Sequence, residues 1–163
     1  MASMKQSSIL QGVAPKGSVL QVVSTTKLDS STTTSGTLSD ISGLTLAITP
    51  ATTSSKVMVF VSLAARNNTG GRDKIQLVRD STSIATSTAG SDTNGSFTSA
   101  TQQFGGTSTV LPISFNHLDS PSSSTEITYR LQFSTTAGTL VVGESDNGLY
   151  GQVSSITLME VAG

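Results

Sequence analysis

The sequence predicts an all-β fold, an antiparallel β-sandwich of jelly-roll type with about eight to ten strands and an extended N-terminal arm. Three observations predict it. Short, β-branched apolar runs recur along the chain, Ser/Thr/Gly turns separate them, and no segment carries a 3.6-residue period that would mark a helix. The length of 163 residues suits one such domain. Residues 1–16 are expected to form the arm and residues 17–163 the single sandwich, because Gly12, Pro15 and Gly17 interrupt the chain before its first clear strand.

The first strand is expected over Ser18 to Ser24. The stretch Thr25 to Thr37 is rich in Thr but has little to bury, so it reads as a loop or a solvent-facing edge strand. Leu44, Leu46 and Ile48 alternate with Thr45, Ala47 and Thr49, which places one face in a core before Pro50 ends the strand. Lys56 to Leu63 contains the run Val-Met-Val-Phe-Val and is expected to be a central strand covered on both sides, so that Phe60→Asp would unfold the domain. Asn67 to Arg72 form a turn, after which Ile75, Leu77 and Arg79 share a strand face, and Asp80 to Thr82 turn toward Ile84. Ala85 to Ser96 is too polar for a core and reads as an exposed loop. Phe97 to Phe104, Thr109 to His117, Thr125 to Ser134, Thr139 to Val142 and Gln152 to Val161 supply the remaining strands, and Asn147-Gly148 is a tight turn.

Composition narrows the function. Charged residues make up 12% of the chain and the formal net charge is −1, so the electrostatic footprint that nucleic acid or an anionic membrane selects is missing. Neither is expected as a partner. There is no Cys, so stability is expected from packing alone. The apolar stretch near Ile9 and Leu10 is far shorter than a signal-peptide core or a membrane span, which points to a product made in the cytoplasm of a cell and released by lysis.

No catalytic, metal-binding or cofactor-binding residue is expected, and the protein is not expected to be an enzyme. His117 is the only histidine, and no Gly-x-Ser-x-Gly elbow accompanies it, so it reads as a strand-end residue. Asp92-Thr93-Asn94-Gly95 and Asp146-Asn147-Gly148 resemble the start of a calcium loop, but no Glu follows at the far end, and Asn-Gly is hairpin chemistry. Arg66, Arg72, Arg79 and Arg130 lie among carboxylates that include Asp73 and Asp80; such pairs are local, or a partly buried one sets the register between subunits. Tyr129 and Tyr150 read as core or rim residues rather than sugar-stacking platforms. A hydrolase lacks an acid and base pair in any recognisable constellation.

The segments Gly17-Ser18-Val19-Leu20-Gln21-Val22-Val23-Ser24, Ile41-Ser42-Gly43-Leu44 and Ile48 to Val59, with Leu77 to Ile84 and Ile156 to Val161, carry a resemblance. In them the chain resembles small jelly-roll virion structural proteins of tailed phages that infect aquatic bacteria, cyanobacteria among them. The resemblance implies a trimeric protein displayed on the virion, either as a capsid decoration (cement) protein bound to the major capsid protein or another virion protein, or as a fibre or tail-tip module that recognises a host glycan. The loops Thr25 to Thr37 and Ala85 to Ser96 depart from it.

Overall fold

A computed structural model describes residues 14–69, 71–87, 100–103, 110–145 and 149–163. The chain runs through β1 (Val19–Lys27), β2 (Ser31–Thr33), β3 (Ser39–Ile48), β4 (Lys56–Asn67), β5 (Arg72–Arg79), β6 (Thr82–Ile84), β7 (Ala100–Gln103), β8 (Leu111–Asp119), β9 (Ile127–Thr135), β10 (Leu140–Val142), β11 (Glu144–Ser145), β12 (Tyr150–Gly151) and β13 (Ser154–Val161). Eight of these have four residues or more, and the other five are short additions to sheet edges and turns. All pairings are antiparallel.

The eight longer strands form two sheets. In one, β4 lies between β13 and β8, and β1 lies on the far side of β13; in the other, β9 lies between β3 and β5, and β7 pairs with the far side of β5. Numbered among themselves from one to eight, the long strands therefore run 1-8-3-6 in the first sheet and 2-7-4-5 in the second. Apart from strands 4 and 5, which are consecutive and pair within the second sheet, neighbours are distant in sequence and successive strands alternate between sheets, which is the jelly-roll arrangement. The fold class is the one the sequence predicts.

The core lies between the sheets. Val57, Val59, Val61 and Leu63 of β4 and Ile156 and Leu158 of β13 face Ile75 and Leu77 of β5 and Tyr129, Leu131 and Phe133 of β9. Each strand contributes alternate residues, as a pleated strand must when only one face meets the other sheet. In β3, Ile41 and Leu44 are both fully buried although three residues apart. Gly43 takes φ +83, the register with β9 shifts between Asp40 and Thr45, and this bulge returns the second half of the strand to the core face.

The structure departs from the sequence reading at particular places. The run beginning at Lys56 is central, but it is covered on one face only: Val57, Val59 and Val61 are buried, whereas Phe60 is 41% exposed on the outer face. A run of apolar residues hides the alternation that polar partners would reveal, so the expected unfolding by Phe60→Asp is withdrawn. Thr25 to Lys27 belong to β1 rather than to a loop, because Lys27 turns inward and is buried, with its Nζ 2.8 Å from Asp29. Ser31 to Thr33 do form an edge strand, paired with β10. Most of the expected arm, the loop Ala85 to Ser96 beyond Ser87, and the Asn147-Gly148 turn lie outside the described residues.

One consequence follows for stability. Phe60→Asp is expected to leave the domain folded, with a change within about 1 kcal/mol in urea unfolding, whereas Leu158→Ala should cost about 2–5 kcal/mol because it opens a cavity between the sheets.

Candidate assembly surface

Polar groups clamp the two sheets together at one end of the core. Asp119, at the end of β8, accepts a 2.7 Å hydrogen bond from the Tyr129 hydroxyl on β9 and two 2.8 Å hydrogen bonds from the Arg79 guanidinium on β5. Tyr129 is fully buried. Burial first, then the hydrogen bond to Asp119 and its charge, push the phenol well above its ordinary pKa, so Tyr129 remains a donor. Arg79 thus shares the face of Ile75 and Leu77, as expected, but its partner is Asp119 and not the adjacent Asp80. Asp80 instead accepts a 3.0 Å hydrogen bond from the Thr128 amide.

In the same row of the inner face as Asp119, with Val57 of β4 between them, Glu160 of β13 is fully buried. Its carboxylate accepts hydrogen bonds of 2.6 Å from Gln21 and 2.7 Å from the Ala51 amide, tying β1 and the β3–β4 turn to β13. Burial alone would raise its pKa, but hydrogen bonding with Ser55, Gln21 and Ala51 outweighs burial and holds it below the ordinary value. Its stabilising effect is present at neutral pH and is lost as pH falls through the carboxylate range.

The opposite sign holds at the other end of β4. Asn67 donates to Asp73 at 2.7 Å and to Thr135 at 2.9 Å, joining β4, β5 and β9. Asp73 is buried and its Oδ2 has no hydrogen-bond partner. Burial pushes its pKa up, and hydrogen bonding with Thr135 and Asn67 offsets only part of that. Arg66 and Glu144 form a 2.7 Å ion pair that holds β11 against β4, and Arg130 lies 3.3 Å from Asp40. These two arginines, with Arg79, find their carboxylates within the chain, so the pairs hold elements of one chain together.

His117 lies inside β8, opposite Val59, and is half-buried on the inner face. Among the described residues, no group of three His, Cys, Asp or Glu side chains is placed to hold a metal ion. The Asp92–Gly95 and Asp146–Gly148 segments lie outside the described residues. Tyr129 is core, and Tyr150 is 64% exposed on the β11–β12 hairpin beside Leu149 and near Val153, which are 71% and 63% exposed.

What the sequence reading missed is the outer face of the β1–β13–β4–β8 sheet. Register places Val22, Met159, Met58 and Leu118 side by side in one row that crosses all four strands. Val22 and Leu118, at its ends, are 53% and 44% exposed. The next row is Ser24, Thr157, Phe60 and Asn116, and the one after it is Thr26, Ser155, Ser62 and Ser114. None of these twelve side chains is charged. A shallow cavity of about 300 Å³ lies beside Phe60, between Ser114 and Thr157. The face is thus a graded surface, apolar toward Val22 and hydroxyl-rich toward Thr26, of the kind that buries against a partner without removing ions from water.

No protein-family model matches the chain, and no curated protein matches it. Solved structures similar to it include those of infectious bursal disease virus, Gx strain (14% identity over 88% of this chain and 37% of that one, TM-score 0.47), and Gt strain (14%, 93% and 42%, TM-score 0.43). A third is the VP2 subviral particle of infectious bursal disease virus (13%, 86% and 41%, TM-score 0.39). The chain spans about two fifths of the length of these proteins. The jelly-roll assignment rests on strand order and register rather than on these likenesses.

The clamps make two predictions. Asp119→Ala should destabilise by about 3–5 kcal/mol, since it leaves Arg79 and Tyr129 without their acceptor, whereas Tyr129→Phe should cost only about 1–2 kcal/mol because Arg79 keeps its partner. Chemical unfolding of both variants measures this, and equal losses would show that Asp119 does not join the sheets. For Asp73, whose folded pKa is raised, the native state binds the proton more tightly, so its contribution falls as pH rises above the ordinary aspartate range. The stability of Asp73→Asn relative to the parent should therefore improve between about pH 4 and pH 7, and thermal melts across that range that keep a constant difference would contradict it.

Proposed function

We propose that this protein is a structural component of a tailed-phage virion, a homotrimeric capsid decoration (cement) protein that binds the major capsid protein or a neighbouring virion protein through its N-terminal arm and its sheet edges. The observation that carries this reading is a jelly-roll sandwich whose outer sheet face carries three adjoining rows of uncharged, partly apolar side chains. Such a face is suited to contact with other proteins rather than to chemistry on a small substrate. The low charge of the chain and the resemblance of its strands to small virion proteins support the same reading. A cement protein of this kind stabilises the shell by mass action, because it binds the assembled lattice better than free subunits. Many modest contacts suffice when copies act together.

A second reading, a fibre or tail-tip module that recognises a host surface glycan, is favoured by one feature. Tyr150 projects from the β11–β12 hairpin beside exposed Leu149, an arrangement able to stack on a sugar ring.

Binding to emptied virions separates the two. The full chain should sediment with emptied capsids, and deletion of residues 1–16 should weaken that binding while the β domain stays folded. Retention on host glycans that Tyr150→Ala abolishes, with no capsid binding, would favour the receptor reading.

A further inference from the structure

Each sheet of a sandwich has two edges, and in natural proteins exposed edges are blunted by bulges, charges or shortness because they otherwise recruit another strand. Three of the four edges here are blunted. β1 shifts register between Val19 and Gln21 at one end and turns the charged Lys27 inward at the other. β3 carries the Gly43 bulge. β6 and β7 are three and four residues long. The fourth edge differs: β8 runs nine residues in unbroken register with β4, and among the described residues it pairs with β4 alone. Its blunting residues stand at the ends, Pro112 at one and the inward-turned Asp119 at the other, and the residues between them, Ile113 to Leu118, carry neither proline nor acidic or basic charge.

The backbone of β8 shows which of its groups face outward. The Ala64 carbonyl accepts a 3.0 Å hydrogen bond from the Gly143 amide, on the side of β4 away from β8. Ala64 and the facing Pro112 are thus a non-hydrogen-bonded pair, which suits a proline that has no N–H to give. By the two-residue repeat, Ser114, Asn116 and Leu118 also aim their backbone groups at the open edge. A separate observation marks the same edge. Phe115 and His117 point inward yet stay half-buried, while Val61 and Val59 opposite them are 3% and 0% exposed.

We infer that β8 is a strand-pairing interface that takes the β8 of a second copy, antiparallel across a two-fold axis near the middle of the strand. The pairing satisfies the outward N–H and C=O groups of Ser114, Asn116 and Leu118, merges the two outer faces into one surface, and finishes the burial of Phe115. Self-pairing suits this strand because its middle is uncharged, so no like charges meet across the axis. This inference rests on the self-associating virion reading and adds its contact: two-fold links between three-copy units are what extend such units into a larger array.

The test is Asn116→Pro in the full chain, which removes an outward N–H without taking one from the β4 ladder. In sedimentation velocity the assembled mass should fall to half or less, with the dissociation constant raised at least about tenfold and the thermal melt unchanged. Hydrogen exchange on the parent protein gives a readout that does not depend on the variant folding. The amides of Ser114, Asn116 and Leu118 should be protected when the protein is concentrated and exchange on dilution, while those of Ile113, Phe115 and His117 stay protected throughout. Concentration-independent exchange at the first three, or a folded variant that assembles as the parent does, overturns the inference. If the parent still sediments with emptied capsids in that case, only the edge contact fails; if protection follows concentration but capsids are not bound, the contact stands and the virion reading fails.

Discussion

The ladder from β1 through β13 and β4 to β8 joins the two ends of the chain, with Gln21 donating to Glu160 across 139 residues. β13 can enter this sheet only between β1 and β4, because both of its edges need a hydrogen-bonding partner and its core face carries Ile156 and Leu158. Once it is there, the positions of β8 and of the facing sheet follow, since Val57, Val59 and Val61 need apolar partners on one side only. Closing such long loops costs chain entropy, so the ladder forms only with the core that repays it.

The ends of the core are closed by buried polar groups that answer to the same geometry. Asp119, Glu160 and Asp73 each sit where strands from different parts of the chain converge, and each takes its hydrogen bonds from elements other than its own. Asp119 and Glu160 are well supplied with donors, while Asp73 keeps one oxygen without a partner. Glu160, its carboxyl held below the ordinary range, loses stabilisation in acid, and Asp73, its carboxyl pushed up by burial, is relieved by it, so the two ends of β4 respond to pH in opposite directions.

The outer sheet face joins stability to function. The strands that bury Val59 and Leu158 inward must present Phe60 and Met159 outward, because successive side chains alternate. The uncharged, largely apolar row from Val22 to Leu118 is the kind of surface that contact with another protein buries. Among the described residues, the edge of β8 away from β4 is covered by no other strand.

Much of this was legible in the sequence. The strands were, to within about three residues at most ends, because turn residues such as Pro50 and the alternation of Leu44, Leu46 and Ile48 are local signals. So was the uncharged surface, which composition alone dictates. The two faces of β4 were not legible, since Val-Met-Val-Phe-Val is apolar at every position and only the placement of the second sheet decides that Val59 is core and Phe60 is surface. Nor was the partner of Arg79, which lies next to Asp80 in the chain but reaches Asp119, 40 residues away, because the packing of one sheet on the other brings β8 over β5. Local chemistry therefore determined the strands, while long-range pairing alone decided their faces, their edges and the partners of their charges.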